Sequence, residues 1–430
     1  MKKGLLGVAL FSAVLPLAAQ VELELHGSAE TLFALPFSKD LNLTDFRTAF
    51  TGEVSAYAGQ ASAFVSLSAE YNGVSPERTG FSLGEAWADW SAGGFFLRLG
   101  RQLLSWGAAD GLILTDVVCP QNLTAYAGLD FAGSRLAVDG LKLRYSFPAF
   151  AAEAIWLPLF TPARLPGDPQ NPLYGIFYPS SIDMGGTVLP VSVSGAAPPR
   201  TIADGEYGLR LSWYAPALDL SVMGFYGWND IPHVKKDMIL SASAVPEKIE
   251  LEPEYGRTVT AGADASVPLG GFLLRLEAAW TGGGRYDRSA EETAAAFSAG
   301  RGDEPVKKHN LKLLAGLDWN PSGWTLSAQY YEDLLPDASG GGTERPWQKS
   351  ALTLRAGRGF FRETLNISVW CFLDLQDFDT AASAAAAYDL TDSFSLSLGS
   401  DFFSGGIENR GTYGAYKDLN CLWIKGIFRF

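Results

Sequence analysis

The last ten residues, Cys421–Phe430, read CLWIKGIFRF. Counted back in steps of two, one set of positions is apolar or glycine: Phe430, Phe428, Gly426, Ile424 and Leu422. The intervening positions carry two cations, Lys425 and Arg429. Because successive side chains of a β-strand point to opposite sides, this alternation predicts a strand with one apolar and one charged face. A strand of this kind at the end of a chain needs an apolar environment on one side only.

The same period of two recurs along the whole chain. It is found in GLKLRYSF (140–147), YGLRLSWY (207–214) and NLKLLAGLDW (310–319). Segments of about ten residues with this alternation are the signature of a transmembrane β-barrel. A soluble β-sandwich also alternates, but its strands are usually shorter and bury a core between two sheets. The pattern therefore predicts an all-β fold, a transmembrane antiparallel up-and-down barrel of about 18 strands.

The links between these strands alternate in length. The predicted strands are 21–33, 48–58, 61–72, 82–91, 94–104, 138–147, 150–160, 205–215, 217–229, 256–267, 271–283, 307–319, 323–335, 348–360, 362–374, 378–389, 394–404 and 420–430. Short links rich in Gly, Pro, Asn and Asp alternate with long links. The single exception is the link at 374–378, which is short where a long one is expected. Short periplasmic turns and long extracellular loops are typical of outer-membrane barrels.

The longest links carry further signals. Residues 161–204 are rich in proline, which predicts that they do not pair as strands. The sequence does not decide whether they form a lid, a surface epitope or an inward constriction. Within 284–306, SAEETAAAF predicts one short helix.

The start of the chain predicts export. Lys2 and Lys3 precede an apolar stretch that is shorter than the roughly 18 residues of a membrane helix, and small residues follow it. We therefore expect a signal peptide over residues 1–19 and one barrel domain over residues 20–430.

Composition excludes several function classes. The net charge of −14 and the absence of a long basic stretch argue against nucleic-acid binding. Cys119, Cys371 and Cys421 lack the spacing of a metal site, so no metal or cofactor is expected. The chain has 3 histidines, and none lies in a recognisable nucleophile motif. The sequence therefore predicts that the protein is not an enzyme.

The terminal strand resembles that of Gram-negative outer-membrane barrels, which commonly end on phenylalanine. In those families the barrel-assembly machinery reads the terminal aromatic residue and the apolar positions before it. The resemblance implies that Phe430 and Phe428 form this assembly signal, with outer-membrane lipids and the assembly machinery as partners. The same residues also suit an interfacial aromatic girdle, and both roles are compatible.

A second motif lies between the predicted fifth and sixth strands. GRQLLSWG (100–107) and TDVVCP (115–120) resemble a porin-like group that includes uncharacterised porins and alginate-export-like channels. The chain departs from that pattern at Leu114 and Cys119. The matched positions are Gly100, Arg101, Gln102, Trp106, Gly107, Asp110, Thr115, Asp116, Val117 and Pro120. Because the run LILTDVV is too apolar for a fully wetted loop, we expect this loop to fold into or over a pore. A surface loop with its own small cluster is the alternative.

The charged faces of the strands predict a polar interior. Because Arg or Lys at a mid-bilayer lipid-facing position costs about 2–4 kcal/mol, these residues belong inside the barrel. The predicted pore-lining residues are Arg98, Lys142, Arg144, Arg210, Arg275, Glu277, Lys312 and Arg355. Further acidic candidates are Glu70, Glu153, Asp318 and Asp374. The slightly basic set favours anionic or neutral solutes.

These features predict an outer-membrane channel for passive diffusion of small hydrophilic solutes, with oligosaccharides or anions as the expected classes. The alternative is a surface-exposed adhesin or antigen barrel without an open pore. The sequence does not indicate an oligomeric state.

Overall fold

The alternating segments form strands over most of the chain. The computed structural model describes residues 21–37, 42–109, 111–125, 134–183, 186–195, 198–407 and 411–430. The predicted signal peptide, residues 1–19, and motif residue Asp110 lie outside the described residues.

The strands are β1 (Glu22–Pro36), β2 (Asp45–Ala58), β3 (Ala61–Asn72), β4 (Gly80–Ala92), β5 (Phe95–Gln102), β6 (Val138–Ser146), β7 (Phe150–Leu157), β8 (Ser181–Asp183), β9 (Val188–Val193), β10 (Glu206–Ala215), β11 (Leu218–Trp228), β12 (His233–Leu240), β13 (Pro246–Glu254), β14 (Arg257–Leu269), β15 (Phe272–Tyr286), β16 (Val306–Trp319), β17 (Trp324–Leu334), β18 (Gln348–Phe360), β19 (Leu365–Asp374), β20 (Thr380–Asp389), β21 (Phe394–Ser404) and β22 (Cys421–Arg429). The α-helices are Tyr174–Phe177 and Ala290–Ser298, and the 3-10 helices are Pro76–Arg78, Ile202–Asp204, Pro336–Ala338 and Thr412–Leu419. The helix at Ala290–Ser298 confirms the prediction for SAEETAAAF.

Eighteen strands form one closed antiparallel barrel. Each pairs with the next barrel strand along the chain, and β22 pairs with β1 to close the ring. The predicted fold class and strand number are thereby confirmed, and β18 has the predicted bounds. Closure leaves no unpaired sheet edge, which a membrane interior would not tolerate.

Most strand ends differ from the prediction by one to three residues, and two of them have clear local reasons. Strand β7 stops at Leu157 rather than at 160 because Pro158 has no N–H for the ladder. Strand β19 begins at Leu365 rather than at 362, since Phe361, Arg362 and Glu363 all have positive φ and form the turn.

The links 161–204 and 230–255 contribute strands to a second, four-stranded sheet, which the sequence did not predict. Strands β12, β13, β9 and β8 pair in that order, and the contact between β13 and β9 is parallel. The expectation that proline prevents pairing in 161–204 was wrong. Pro190 precedes the stretch Val191–Val193 that pairs with β13, so its missing N–H does not interrupt that ladder.

The two faces of the barrel wall differ in chemistry. The register places Leu25 opposite Val54, and these side chains are 72% and 41% exposed. Leu32 and Ala34, which point to the other side of β1, are fully buried. Large exposed apolar residues recur at the outward positions of the other barrel strands. A continuous apolar outer surface needs lipid around it, since water would penalise a patch of this size.

The terminal residues complete the closing seam. Phe430 exchanges backbone hydrogen bonds with Gly27, at N···O distances of 2.9 and 3.0 Å. Phe428 and Phe430 face outward and are 46% and 69% exposed. Among the described residues, no helix is long and apolar enough to cross a membrane.

Candidate functional site

The inner wall of the barrel carries paired charges. Four of the predicted cations form ion pairs with acids of other strands, three of them adjacent and one, Asp264, two strands away: Arg98–Asp89 (2.7 Å), Lys142–Glu153 (2.9 Å), Arg210–Asp264 (3.0 Å) and Arg275–Asp318 (2.6 Å). The partners neutralise the excess of cations that the sequence indicated. The wall therefore presents ion pairs rather than an unbroken basic surface.

The other predicted wall residues also take inward positions. The guanidinium of Arg144 donates to the Tyr214 hydroxyl at 3.4 Å. Arg355 of β18 lies opposite Trp370 of β19, on the side away from the exposed Leu354. Glu277 and Lys312 contact a loop that enters the barrel, and this contact organises the interior.

The described parts of the link between β5 and β6, residues 103–109, 111–125 and 134–137, form an inward loop. Glu277 on the wall is 4% exposed and accepts hydrogen bonds from the tip of this loop. One carboxylate oxygen accepts from the N–H groups of Ala108 (2.9 Å) and Ala109 (2.8 Å). The other accepts from the N–H (2.7 Å) and the hydroxyl (2.8 Å) of Thr115. The described part of this loop therefore lies inside the barrel, as the sequence predicts.

Two cations hold the carbonyl groups of the same tip. Arg275 donates to the Ala108 carbonyl at 2.8 Å, and Lys312 donates to the Ile113 carbonyl at 3.0 Å. We call Glu277, Arg275 and Lys312 the clamp. Because a buried backbone polar group without a partner is costly, the clamp compensates for the burial of a loop that lacks secondary structure.

Apolar packing fixes the other end of the inward loop. Trp106 is 2% exposed, and its indole N–H donates to Glu153 at 2.7 Å. Its ring packs edge-on against Phe225, with centroids 6.4 Å apart. Gly208 gives the ring room, since a Cβ there would lie 2.5 Å from the Trp106 side chain. A larger residue on β10 would push the loop away from the wall.

The GRQ part of the motif lies where β5 leaves the sheet. Gly100 has φ +127°, and a Cβ there would lie 2.3 Å from the Ala86 carbonyl oxygen, so only glycine fits without strain. Arg101 points outward and pairs with Asp139 at 2.7 Å. Gln102 is fully buried, and its amide donates to the Gly140 carbonyl at 3.0 Å. These residues position the start of the inward loop.

The remaining motif residues shape the loop itself. Gly107 has φ +100° and lies against the clamp carboxylate. Asp116 accepts from the Trp106 N–H at 2.9 Å and pairs with Arg135. Pro120 is fully buried. Asp110 lies outside the described residues, so its role stays a prediction.

A second inward element comes from the link between β7 and β10, whose position the sequence left open. Leu173 is 2% exposed and packs in a cluster with Leu32, Phe403 and Trp423, which are inward residues of β1, β21 and β22. Asn171 ties this link to the inward loop through the Thr124 carbonyl, to which its amide donates at 3.0 Å. The run PLYGIF, residues 172–177, was the available signal, because it is apolar within a polar link.

A cavity of about 560 Å³ lies between the inward loop and the wall. Ile113 and Leu114 of the loop line one side, and Thr281 of β15 and Asn310 of β16 line the wall side. Segment 229–234, which leads into the second sheet, lines the rim. We call this space the vestibule cavity.

The candidate metal ligands are scattered through the described part of the chain. There, no group of three or more His, Cys, Asp or Glu side chains is placed to hold a metal ion. His26 is on β1, His233 begins β12, and His309 stacks on Trp280 with ring centroids 5.3 Å apart.

Comparisons with solved structures show where the fold recurs. The chain is similar to OccAB1 of Acinetobacter baumannii, with a TM-score of 0.53 and 11% identity over 95% of this chain and 96% of that one. It is similar to OccK3 (OpdO) of Pseudomonas aeruginosa, with a TM-score of 0.53 and 10% identity over 95% of each chain. OccK8 (OprE) of Pseudomonas aeruginosa gives a TM-score of 0.51 and 9% identity over 95% and 98%. At such identities the likeness concerns the fold alone.

No curated protein matches the sequence. The profile of one family, described as "Protein of unknown function (DUF1302)", matches residues 9–404. Since this match spans most of the 430 residues, the chain belongs to the DUF1302 family.

Proposed function

We propose that the protein is an outer-membrane channel through which small hydrophilic solutes diffuse passively, oligosaccharides or anions among them. One observation carries the proposal: a closed ring of 18 strands has an apolar outer surface and a charged inner wall. A barrel of this size is too wide for its wall side chains to fill. A polar interior inside an apolar ring is suited to water and polar solutes.

The two inward elements would set the size limit of the channel. The inward loop is held by the clamp, and the link carrying Leu173 packs on the opposite inner wall. Solutes would pass between them and the ion pairs of the wall. Because four of the wall cations have an acidic partner nearby, selectivity would depend on the local arrangement of pairs rather than on net charge.

We further propose that residues 1–19 are removed on export and that the barrel-assembly machinery reads the last strand. The outward exposure of Phe428 and Phe430 supports this, because both rings are accessible from outside the barrel. The same positions suit contact with outer-membrane lipids.

Conductance in a planar bilayer tests the channel function. The full-length chain would be expressed in a Gram-negative host and the protein purified from outer membranes. We expect discrete open steps, and a salt gradient gives the ion preference from the reversal potential. Arg98→Glu places a second acid beside Asp89 and should shift the preference toward cations. Arg200→Glu, on an exposed loop, is the matched control and should leave the preference unchanged.

A folded barrel that never conducts would refute the channel. That result would favour the alternative, a barrel that only displays its loops at the cell surface. Equal shifts for the two variants would instead refute the assignment of Arg98 to the pore wall.

A further inference from the structure

The vestibule cavity has the size of a small-molecule site. Its volume of about 560 Å³ lies within the roughly 300–1,000 Å³ of such sites. Its walls come from several separate parts of the chain, among them the inward loop, strands β11 and β14–β17 and the segment 229–234. A solute that enters between the outer loops would meet this cavity before the clamp.

The cations that line the cavity all have partners. The guanidinium of Arg345 pairs with Asp333 at 2.8 Å. Lys312 lies directly across the strand pair from Asp333 and donates to the Ile113 carbonyl. The guanidinium of Arg285 lies 2.8 Å from the ring nitrogen Nε2 of His233. An anionic solute would therefore find no free cation among these residues, and an ion pair would have to break.

The acids of the cavity are equally unsuited to a cationic solute. Asp333 is held by Arg345 and also accepts from the Asn310 amide at 2.5 Å. Asp287 lies 3.7 Å from Lys236. Asp230 forms no ion pair within the described part of the chain, and burial raises its pKa well above the usual range. In its protonated form Asp230 donates a hydrogen bond and carries no charge.

Neutral polar groups and aromatic rings make up the rest of the lining. The hydroxyl groups of Thr260 and Thr281 lie 3.0 Å apart on neighbouring strands and keep further hydrogen-bonding capacity. Trp228, Tyr286 and Phe225 add aromatic surface. Sugars combine hydroxyl groups that both donate and accept with apolar C–H faces, so they match a cavity that offers hydroxyl partners and aromatic rings.

We infer that the vestibule cavity binds an uncharged mono- or disaccharide. The inference rests on the proposed channel function, since the cavity lies on the route between the outer loops and the clamp. The hydroxyl pair Thr260–Thr281 and the Asp230 side chain supply hydrogen bonds, and the aromatic rings contact the sugar faces. The paired charges exclude ionic solutes of the same size.

The test uses maltose, glucose, glucuronate and glucosamine as probes. Binding is measured by tryptophan fluorescence of the detergent-solubilised protein, and the block of ion current is measured in a planar bilayer. We expect maltose and glucose to bind, and the charged analogues glucuronate and glucosamine to bind at least tenfold more weakly than glucose. Binding of either charged analogue within tenfold of glucose, or tighter, overturns the inference.

Matched variants locate the site. Thr281→Val removes one hydroxyl of the inward pair and should weaken maltose binding about fivefold, the usual effect of one lost hydrogen bond. Thr31→Val is the control, since Thr31 and Thr48 form a similar pair, 3.1 Å apart, on the outward face. Asp230→Asn keeps a neutral donor and should retain binding, whereas Asp230→Ala should weaken it. Equal maltose affinity in all four variants refutes the site.

The outcomes separate this inference from the channel function. Conductance without any response to the neutral sugars refutes the sugar site and leaves the channel intact. Fluorescence binding without conductance supports the site and refutes passive diffusion.

Discussion

Glu277 decides whether the inward loop stays in the barrel. Its carboxylate accepts four hydrogen bonds from the loop tip, three of them from backbone N–H groups. A hydrogen bond to a charged group contributes about 1.5–3 kcal/mol net. Water in the lumen would satisfy part of the freed donors, so we expect Glu277→Ala to cost about 3 kcal/mol, or roughly two such bonds.

Glu277→Gln is the sharper change because it preserves size. Glutamine keeps one oxygen and replaces the other with an NH₂ group. That group would face either the N–H groups of Ala108 and Ala109 or the N–H and hydroxyl of Thr115. An NH₂ group cannot accept from a backbone N–H, but the remaining oxygen still accepts at one end and the Thr115 hydroxyl can accept from the NH₂ group, so we expect the amide to release the tip less than alanine does.

Hydrogen exchange at the amides of Ala108, Ala109 and Thr115 measures this release. A cost of about 3 kcal/mol corresponds to a loss of protection of roughly 150-fold. Glu332→Gln is the control, because Glu332 faces outward and accepts from Ser350 at 2.8 Å, away from the loop. Unchanged protection in both Glu277 variants would show that packing alone holds the loop and would refute the clamp. In planar bilayers the same variants should give larger and noisier open steps.

Three further predictions follow from the local geometry. Gly107→Ala should destabilise the held position of the inward loop by about 2 kcal/mol, since φ is +100° and the new methyl would lie 2.9 Å from the clamp carboxylate. Gly224→Ala, which has open space around it, is the control and should not change amide exchange in the loop. Arg362→Gly should stabilise the barrel by about 0.5–1 kcal/mol in urea unfolding, because φ is +59° there and glycine adopts it without strain. Burial, and then the Arg285 guanidinium, lower the pKa of His233. Its protonation therefore opposes folding, so the second sheet should keep its full stability above pH about 6.5 and lose it as the pH falls toward the folded pKa, seen as faster exchange in β12 and β13. His233→Gln should remove this dependence, and an unchanged pH profile would contradict the assignment.

The sequence predicts the barrel because the alternation that indicates each strand lies within that strand. Alternation of apolar and polar residues places every second side chain toward lipid, and this requirement holds separately in each strand. The terminal strand and β18 were readable for this reason. The inward direction of Arg98 and Arg210 also followed from parity. Their partners Asp89 and Asp264 did not, because these contacts depend on the order and register of the strands in the sheet.

The second sheet was missed because its strands carry weaker signals. Strand β9 contains Pro190, and β13 carries four glutamates and two prolines, so neither pattern predicts a strand. Ile249 and Leu251 do alternate with glutamates, and both are buried in the small core of this sheet. That alternation was the available signal, but it is too short to distinguish from a charged loop.

By itself the sequence determined the closed ring, the apolar outer face, the polar inner face and a loop too apolar to stay in water. Only the tertiary structure decided where that loop is held. Ala108 and Glu277 are 169 positions apart, and no pattern within one segment encodes their contact. Strand periodicity arises from the geometry of adjacent residues, whereas the clamp and the vestibule cavity exist only after closure of the barrel brings distant strands face to face.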